Sequence, residues 1–272
     1  MTFSILKNIE SYDTQEKQYF YYFYPEIKSL IDIKAREKIE KELLEQNSNI
    51  FNNFNENRKI GENDSYICSL IREDSVEEFI AYVNRINLKL TTTISHSIFE
   101  TNIFLIEQEK TSLIEYSAFF GSIQIFQYLL FNNVEPTPSL WLYAIHSNNA
   151  ELIHLLEENN VEPEDENYEI ILLEAIKCHH NEIANYIKLN MIDQNIEKSK
   201  KMKFIEKVFD YSFHYTNFSY FPDQIKFKFV FIYLCMYDYP SLADLFLKMK
   251  KNDIESAIQG KVFKIIFFLM MF

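Results

Sequence analysis

The residues best suited to chemistry in this sequence are three neighbours, Cys178, His179 and His180. Cysteine and histidine are preferred ligands of zinc, but a zinc site needs its ligands to converge on one point. Adjacent residues of a helix point about 100° apart, so these three side chains are not expected to share one ion. No HExxH and no CxxC motif accompanies them. We therefore expect structural roles, with His180 stabilising a turn, and we predict no metal site and no cofactor.

Two further histidines, His146 and His154, lie in a neighbouring stretch on separate predicted helices. Buried or capping roles are expected for them, and a ligand pair is the alternative. Cysteine–histidine catalysis would need a base within hydrogen-bond reach of a thiol, which the sequence does not exclude. The chain has only 3 glycines, so neither of the standard glycine-rich phosphate loops can be written. The prediction is a protein without enzymatic activity.

Charge is distributed unevenly along the chain. The net charge of −13 disfavours nonspecific binding to nucleic acid. Between Glu151 and Glu182, acidic residues outnumber the single basic residue, Lys177, and the densest part predicts a loop that could bind a basic protein partner. The candidate contact residues there are Glu157, Glu158, Glu162, Glu164, Asp165 and Glu166. A solubilising rim is the alternative.

A basic cluster follows, and we expect it to contact an acidic surface of the repeats rather than nucleic acid; its members are Lys198, Lys200, Lys201, Lys203 and Lys207. Trp141 is a further candidate. It could be an exposed aromatic anchor for a partner, although its position fits core packing equally well.

Composition bounds the class of protein. The 272 residues are 47% hydrophobic and 25% charged, which is typical of a globular chain. Few glycines and only 6 prolines argue against an all-β fold. Three widely spaced cysteines suit a reducing compartment, so we expect an intracellular, cytoplasmic location. The apolar run 262–272 contains Lys264 and is too short to span a bilayer. We expect it to pack on the last repeat as a helix.

The elements that must position these residues form an internal repeat. Asn133-Val134-Glu135-Pro136 recurs as Asn160-Val161-Glu162-Pro163, an offset of 160 − 133 = 27 residues, and the apolar positions before the two endings match. Such self-similarity is typical of stacked helical repeats. The pattern predicts helices over 112–119 and 122–131, and over 139–146 and 149–158. A third copy follows around residue 182. Weaker copies lie in 233–258 and in 63–83, where Asp74 is expected to cap the helix that begins at Ser75.

Residues 1–62 predict a helical N-terminal region. Aromatic residues favour a helix over 3–23, and Pro25 suits the first turn of a second helix over 26–46. The asparagine-rich stretch 47–57 predicts a loop. In the insert 84–110, residues 95–107 predict a further helix.

The stretch SLIEYSAFFGSIQIFQYLL, residues 112–130, resembles an ankyrin repeat, whose pattern is roughly TPLHxAAxxGHxEVVxLLLxxGAD. Ser112 stands for the threonine, Gly121 for the glycine, and Asn133-Val134-Glu135 for Gly-Ala-Asp; Leu113 and Glu115 replace the proline and histidine of TPLH. The phrases ETNIFL, SLIEYSAFFGSIQIF and AIKCHHNEIANYI also resemble a family of divergent ankyrin-like proteins of parasitic flagellate protists, usually labelled a domain of unknown function. The resemblance is good over 112–188.

This resemblance implies an all-α, ankyrin-like repeat solenoid over 63–272, with the helical N-terminal region 1–62 at its start. It also implies a protein–protein interaction scaffold that binds a partner through its loops and inner helices. One alternative is an adaptor with a second binding site on the N-terminal helices. Another is an enzyme that carries ankyrin repeats.

Overall fold

The structure, a computed structural model, describes residues 14–164, 168–192, 198–221 and 227–248. Residues 3–13 of the helix predicted over 3–23 lie outside these residues, and so does the apolar run 262–272. The described chain is predominantly helical, so the all-α prediction is confirmed. Within that part of the chain, no helix combines the length and the apolar character needed to cross a membrane. Contacts divide the chain into two compact units, Met1–Ser117 with Ser122–Val134, and Ala118–Gly121 with Glu135–Phe272.

The first unit contains a helical N-terminal part, a small sheet and the first helix pairs. Its elements are α1 (Thr14–Tyr22), α2 (Tyr24–Ile27), α3 (Ile33–Gln46), α4 (Phe54–Ile60), α5 (Tyr66–Arg72), α6 (Val76–Arg85), β1 (Thr93–Ile94), α7 (Ile103–Glu107), β2 (Thr111–Ser112), the start of α8 (Leu113–Phe120) and α9 (Ile123–Phe131). The two short strands are antiparallel, with Thr93 opposite Ser112. Helix α6 packs on both α5 and α9.

The N-terminal helices differ from those predicted. Pro25 does lie in the first turn of α2, but α2 has only four residues. A new helix, α3, starts at Ile33 because the side chain of Asp32 accepts a hydrogen bond from Ala35 N at 2.9 Å, which caps that helix. Residues 26–46 are therefore two helices rather than the predicted one.

Two segments near residue 62 also depart from prediction. Helix α4 begins inside the stretch predicted as a loop, because Phe54 is buried and its ring packs edge-to-face on Phe99 at 5.1 Å. In the insert, only Ile103–Glu107 of the predicted helix forms, capped by Asn102, whose side chain accepts from Phe104 N at 3.0 Å. The resulting core takes residues from both sides of residue 62: Tyr21, Tyr24, Ile31, Ile39, Leu43, Ile50, Phe54, Ile98 and Phe99.

The described part of the second unit consists mainly of α-helices. They are α10 (Leu140–Ser147), α11 (Ala150–Glu158), α12 (Glu169–Lys177), α13 (Asn181–Ile187), α14 (Lys198–His214), α15 (Phe227–Met236) and α16 (Pro240–Lys248). Helix α10 packs on α11 and α12, and α12 packs on α13 and α14. An aromatic core forms between α14 and α15, and its buried members are Phe209, Phe213, Phe221, Val230, Leu234 and Ala243.

One turn geometry recurs between the helices of each pair. The turn contains a residue with positive φ, the left-handed conformation that often ends a helix; these residues are Asp74, Gly121, Asn148, His179 and Asp238. A second left-handed position, at Asn133 and again at Asn160, follows the second helix. There Val134 N donates to Leu129 O at 3.1 Å and Val161 N to Leu156 O at 2.9 Å. The repeated Asn-Val is therefore a helix C-terminal cap, in which asparagine tolerates the left-handed turn and the valine is buried.

Side chains of these turns also reach the neighbouring pair. In the first unit, the hydroxyl of Ser122 donates to the carbonyl of Ile71. In the second, His180 Nδ1 lies 2.7 Å from Ile145 O, and Asn217 Nδ2 donates to Ile176 O at 2.8 Å. Each contact satisfies a carbonyl near the end of a preceding helix, where backbone partners run out.

The structure corrects the capping role predicted for Asp74. With a φ of 48°, Asp74 lies in the turn itself, and its carboxylate faces α9 rather than the helix that follows it. Its two oxygens accept from Gln124 N and Ile125 N, each at 3.0 Å. A negative charge at a helix N-terminus is favourable because it meets unpaired N–H groups and the positive end of the helix dipole. Asp74 thus caps the helix of the next pair.

Candidate functional site

The acidic loop, residues 157–166, begins with the last two residues of α11 and precedes α12 in the sequence, and part of its described portion is exposed. Glu158, Glu162 and Glu164 are exposed. Glu157 is half-buried and already engaged, because Tyr186 Oη donates to its carboxylate at 2.9 Å and His154 Nδ1 lies 3.1 Å away. Asp165 and Glu166 lie outside the described residues. Three of the six predicted acidic contact residues are therefore exposed and available to a partner.

Trp141 is part of the core, which removes it from the surface that a partner could contact. Its exposed fraction is 0%, and its indole Nε1 donates to Val161 O at 2.7 Å. Its ring also packs edge-to-face on Tyr168, with centroids 5.3 Å apart. Of the two roles left open by the sequence, core packing is the one that this burial fits. Because Val161 sits between Glu158 and Glu162, the indole fixes the acidic loop to the helices beneath it.

The basic cluster makes one defined contact with the acidic region. Lys207 Nζ lies 2.6 Å from Glu169 Oε2, at the start of α12. Lys201 and Lys203 are exposed, and the side chains of Lys198 and Lys200 lie outside the described set. At Lys207 the expected contact between basic and acidic surfaces is present within the chain.

The side chains of the Cys-His-His triplet point to three different partners. His179 Nε2 lies 2.9 Å from Tyr215 O, and the ring of His180 contacts the carbonyl of Ile145. Cys178 instead faces His146 on α10, with its Sγ 3.6 Å from Nδ1 and 3.9 Å from Nε2. The triplet does not converge on one point, and His180 has the turn-stabilising contact expected of it.

Cys178 belongs to a cluster that the sequence analysis did not anticipate, the Cys-His-Glu cluster of Cys178, His146 and Glu174. His146 Nε2 lies 2.9 Å from Glu174 Oε1, and Lys177 Nζ lies 2.9 Å from the same oxygen. Phe119 stacks on the imidazole with ring centroids 5.2 Å apart. Glu174 and Cys178 are one helical turn apart, so they share a face of α12 towards α10. That four-residue spacing was visible in the sequence, but its pairing with His146 was not.

The electrostatics of the cluster follow from burial and from this pairing. Burial, and to a smaller extent the nearby Glu174 carboxylate, together raise the pKa of the Cys178 thiol to about 12, against a smaller lowering effect of Lys177. Burial alone would raise the pKa of Glu174, but hydrogen bonds with His146 and Lys177 outweigh it and lower that pKa below the ordinary range. The carboxylate is thus stabilised as an anion while the thiol keeps its proton.

This arrangement favours ligation over nucleophilic catalysis. A catalytic cysteine needs a depressed pKa, so that thiolate is present near neutral pH. The pKa of Cys178 is shifted in the opposite direction. A metal ion, in contrast, supplies the positive charge that drives thiol deprotonation.

A separate pocket lies in the first unit, beside α1. It measures about 240 Å³ and is mostly lined by apolar and aromatic side chains, among them Tyr19, Tyr22, Phe23, Ile98, Ile103 and Ile106. Glu100 also lines it and is only 7% exposed. The carboxylate Oε1 accepts from Asn102 N at 2.9 Å. A mostly apolar pocket with a few polar groups is typical of a binding site.

Comparison with known proteins assigns no role to any of these residues. No family model matches the chain, and neither a curated protein nor a solved structure matches it.

Proposed function

We propose that this chain is a non-enzymatic protein-interaction scaffold of the ankyrin-like repeat type, which binds a basic segment of a partner through its acidic loop. The observation that carries this proposal is the support of that loop. The Trp141 indole holds the buried Val161 carbonyl from below, while Glu158, Glu162 and Glu164 stay exposed above it.

A pre-formed loop matters because binding must pay for ordering flexible segments. A partner that meets a fixed array of carboxylates loses less conformational freedom than one that must order them. Exposed carboxylates also attract a basic partner at long range, so association should weaken as salt screens the charges. Free thiols at all three cysteines fit a scaffold that acts in a reducing compartment.

The repeat assignment is supported by local geometry. The left-handed turn residues, the Asn-Val caps and the turn-to-carbonyl hydrogen bonds recur from pair to pair. The departure from TPLH is compensated locally, because Ser112 and Glu115 form a reciprocal capping box. Ser112 N donates to Glu115 Oε2 at 2.8 Å, and Glu115 N donates to Ser112 Oγ at 3.4 Å.

The test compares two variants with the same change in net charge. One reverses the loop charges (Glu158→Lys, Glu162→Lys, Glu164→Lys), and the control reverses three other exposed glutamates on or beside α6 (Glu73→Lys, Glu77→Lys, Glu78→Lys). Each protein is titrated with a library of labelled basic peptides at low and high salt. We expect salt-sensitive binding to the intact chain and the control, and its loss in the loop variant. Equal binding to all three proteins, or to none, would refute the acidic loop as the binding site.

The pocket beside α1 favours an adaptor as the second candidate function. In that case an apolar side chain of a second partner enters the pocket, and the exposed rings of Tyr19 and Phe23 line its path. The variant Ile103→Glu places a charge at the pocket, and Ile60→Glu places one at an equally exposed apolar residue outside its lining. Loss of a captured partner in Ile103→Glu but not in Ile60→Glu supports the adaptor. Identical capture by both variants excludes the pocket.

A further inference from the structure

The Cys-His-Glu cluster has the composition and the spacing of a metal site. Across the residues that the structure describes, it is the one group of three potential ligands whose donor atoms all lie within 4.8 Å of one another. Two of the ligands, Glu174 and Cys178, are separated by one turn of α12, and the third comes from α10, which packs against it. Ligands at i and i+4 on one helix are the arrangement by which helices commonly hold zinc. We propose that His146, Glu174 and Cys178 bind one zinc ion.

The distances are close to those of a zinc complex. With bonds of about 2.3 Å to sulfur and about 2.0–2.1 Å to nitrogen and oxygen, tetrahedral geometry places sulfur about 3.5 Å from nitrogen and nitrogen about 3.4 Å from oxygen. In the cluster, His146 Nε2 lies 3.9 Å from Cys178 Sγ and 2.9 Å from Glu174 Oε1. Adjustments of about half an ångström bring each of these two pairs to the distance expected in the complex, and the carboxylate of Glu174 lies within 4.8 Å of Cys178 Sγ. Side-chain rotation supplies this, since all three residues are only half-buried.

The donor set selects the class of metal. A thiolate with an imidazole and one carboxylate suits a borderline-soft ion such as zinc, whereas magnesium and calcium prefer all-oxygen sites. Three protein ligands leave the fourth tetrahedral position to water. The stacked ring of Phe119 restricts rotation of the imidazole and so lowers the cost of positioning His146.

Binding exchanges protons and partners in a defined way. The S–H bond of Cys178 breaks, a sulfur–zinc bond forms, and the proton leaves to solvent. The proton of the His146 imidazole moves from Nε2 to Nδ1, which frees Nε2 for the ion, and the hydrogen bond between His146 and Glu174 is replaced by one bond from each residue to zinc. Lys177 shares Oε1 with the site, but about a third of its side chain is exposed, so its ammonium can turn to water.

Zinc at this position would join α10 to α12 and stabilise the second unit. A ligand that binds only the folded state raises stability in proportion to the logarithm of its concentration over its dissociation constant. At a hundredfold excess over the dissociation constant this amounts to about 2.7 kcal/mol. The site would therefore be structural, and the scaffold proposed above does not depend on it.

The experiment titrates the metal-free full chain with zinc, measuring stoichiometry by calorimetry, and with cobalt, measuring absorption. We expect one ion per chain, a thiolate-to-cobalt charge-transfer band and the intense visible bands of tetrahedral cobalt. Cys178→Ser should remove the charge-transfer band, and His146→Gln should weaken zinc binding by more than the roughly 10–100-fold that loss of an outer-shell partner costs, because a direct ligand is removed. Lys177→Met should tighten binding, because a positive charge beside the ion is removed.

Matched controls separate this site from adventitious binding. Cys235→Ser and His154→Gln alter an exposed thiol and an exposed imidazole outside the cluster, and both should bind zinc as the intact chain does. Circular dichroism checks that each variant is folded. No charge-transfer band in the intact chain would overturn the proposal whether or not the variants fold. So would loss of binding in Cys235→Ser or His154→Gln with retention in Cys178→Ser and His146→Gln.

Discussion

Trp141 allows a direct test of how the acidic loop is supported. Replacing it with benzothienylalanine, the isostere in which sulfur replaces the indole N–H, removes one hydrogen-bond donor and changes little else. Val161, whose carbonyl accepts that hydrogen bond at 2.7 Å, is itself buried, so water replaces the donor poorly. Leaving a buried acceptor unsatisfied costs about 1–3 kcal/mol. Replacement by a standard amino acid, Trp141→Phe, also leaves a cavity, so the loss in free energy of unfolding should be larger, about 2–4 kcal/mol.

The assay is urea unfolding followed by circular dichroism, with the midpoint compared at constant slope. Trp141 is the single tryptophan of the chain, so selectively excited tryptophan fluorescence of the unaltered protein reports on this position alone. We expect short-wavelength emission that acrylamide quenches weakly, and an unfolding midpoint that coincides with the dichroism. Hydrogen exchange at residues 161–164 should accelerate in both variants.

Two results would refute this reasoning. A benzothienylalanine variant whose stability stays within about 0.3 kcal/mol of the unaltered chain would show that the indole N–H contributes nothing to folding. Emission typical of an indole in water would contradict the burial of Trp141 itself.

Two further predictions concern capping and pH. Asp74→Gly keeps the left-handed turn but removes the carboxylate that caps α9, so we expect the free energy of unfolding in denaturant to fall by about 1–2 kcal/mol. The exposed control Glu78→Gln should leave the free energy of unfolding unchanged. Equal stability of the two variants would show that the cap is unimportant. Burial tends to raise the pKa of Glu174, but hydrogen bonds with His146 and Lys177 lower it below its ordinary value of 4.5. A depressed pKa stabilises the fold above the unfolded-state pKa and loses this effect as pH falls through the folded-state pKa. Glu174→Gln should therefore destabilise the chain at neutral pH, and the difference should vanish in acid; a difference that grew as pH fell would contradict this sign.

The helix pairs around the repeat were predictable because their ends are encoded locally. The predicted helices over 112–119 and 122–131 occur as Leu113–Phe120 and Ile123–Phe131. Gly121 and Asn148 mark the left-handed turns within these two pairs, and apolar spacing marks each of their helices. The same signals in the second copy predicted α10 and α11 to within one residue.

The N-terminal part was less predictable because its boundaries depend on tertiary contacts. The asparagine-rich composition of 47–57 indicates a loop, yet Phe54 starts a helix by burying its ring against Phe99. That partner lies 45 residues further along the chain, since 99 − 54 = 45. Local pattern also assigned Asp74 to the nearest helix, whereas the turn directs its carboxylate to another one.

The Cys-His-Glu cluster shows a similar limit for sites. One half of it, the four-residue spacing of Glu174 and Cys178, can be read from a helix in the sequence. The other half, His146, lies 32 residues before Cys178, and its approach requires α10 to pack beside α12. The Cys-His-His triplet is the more visible pattern in the sequence, because its three members are adjacent and are all possible zinc ligands. On a helix, however, adjacent side chains point in directions about 100° apart.

The hydrogen bonds that Asp74 accepts from α9, and the one that Ser122 donates to Ile71, have a consequence for the length of chain between these turns. They join turns that are separated by the whole segment 75–121, so the contact between α6 and α9 does not depend on how many residues connect them. Within that segment, in the connection between α6 and β1, Lys89 and Thr91 are exposed. Loop-closure entropy rises only slowly with length, so this point should accept foreign sequence, such as an epitope or a reporter domain, at small cost in stability. The connection between α6 and β1 could therefore be lengthened without moving the helix pairs on either side of it.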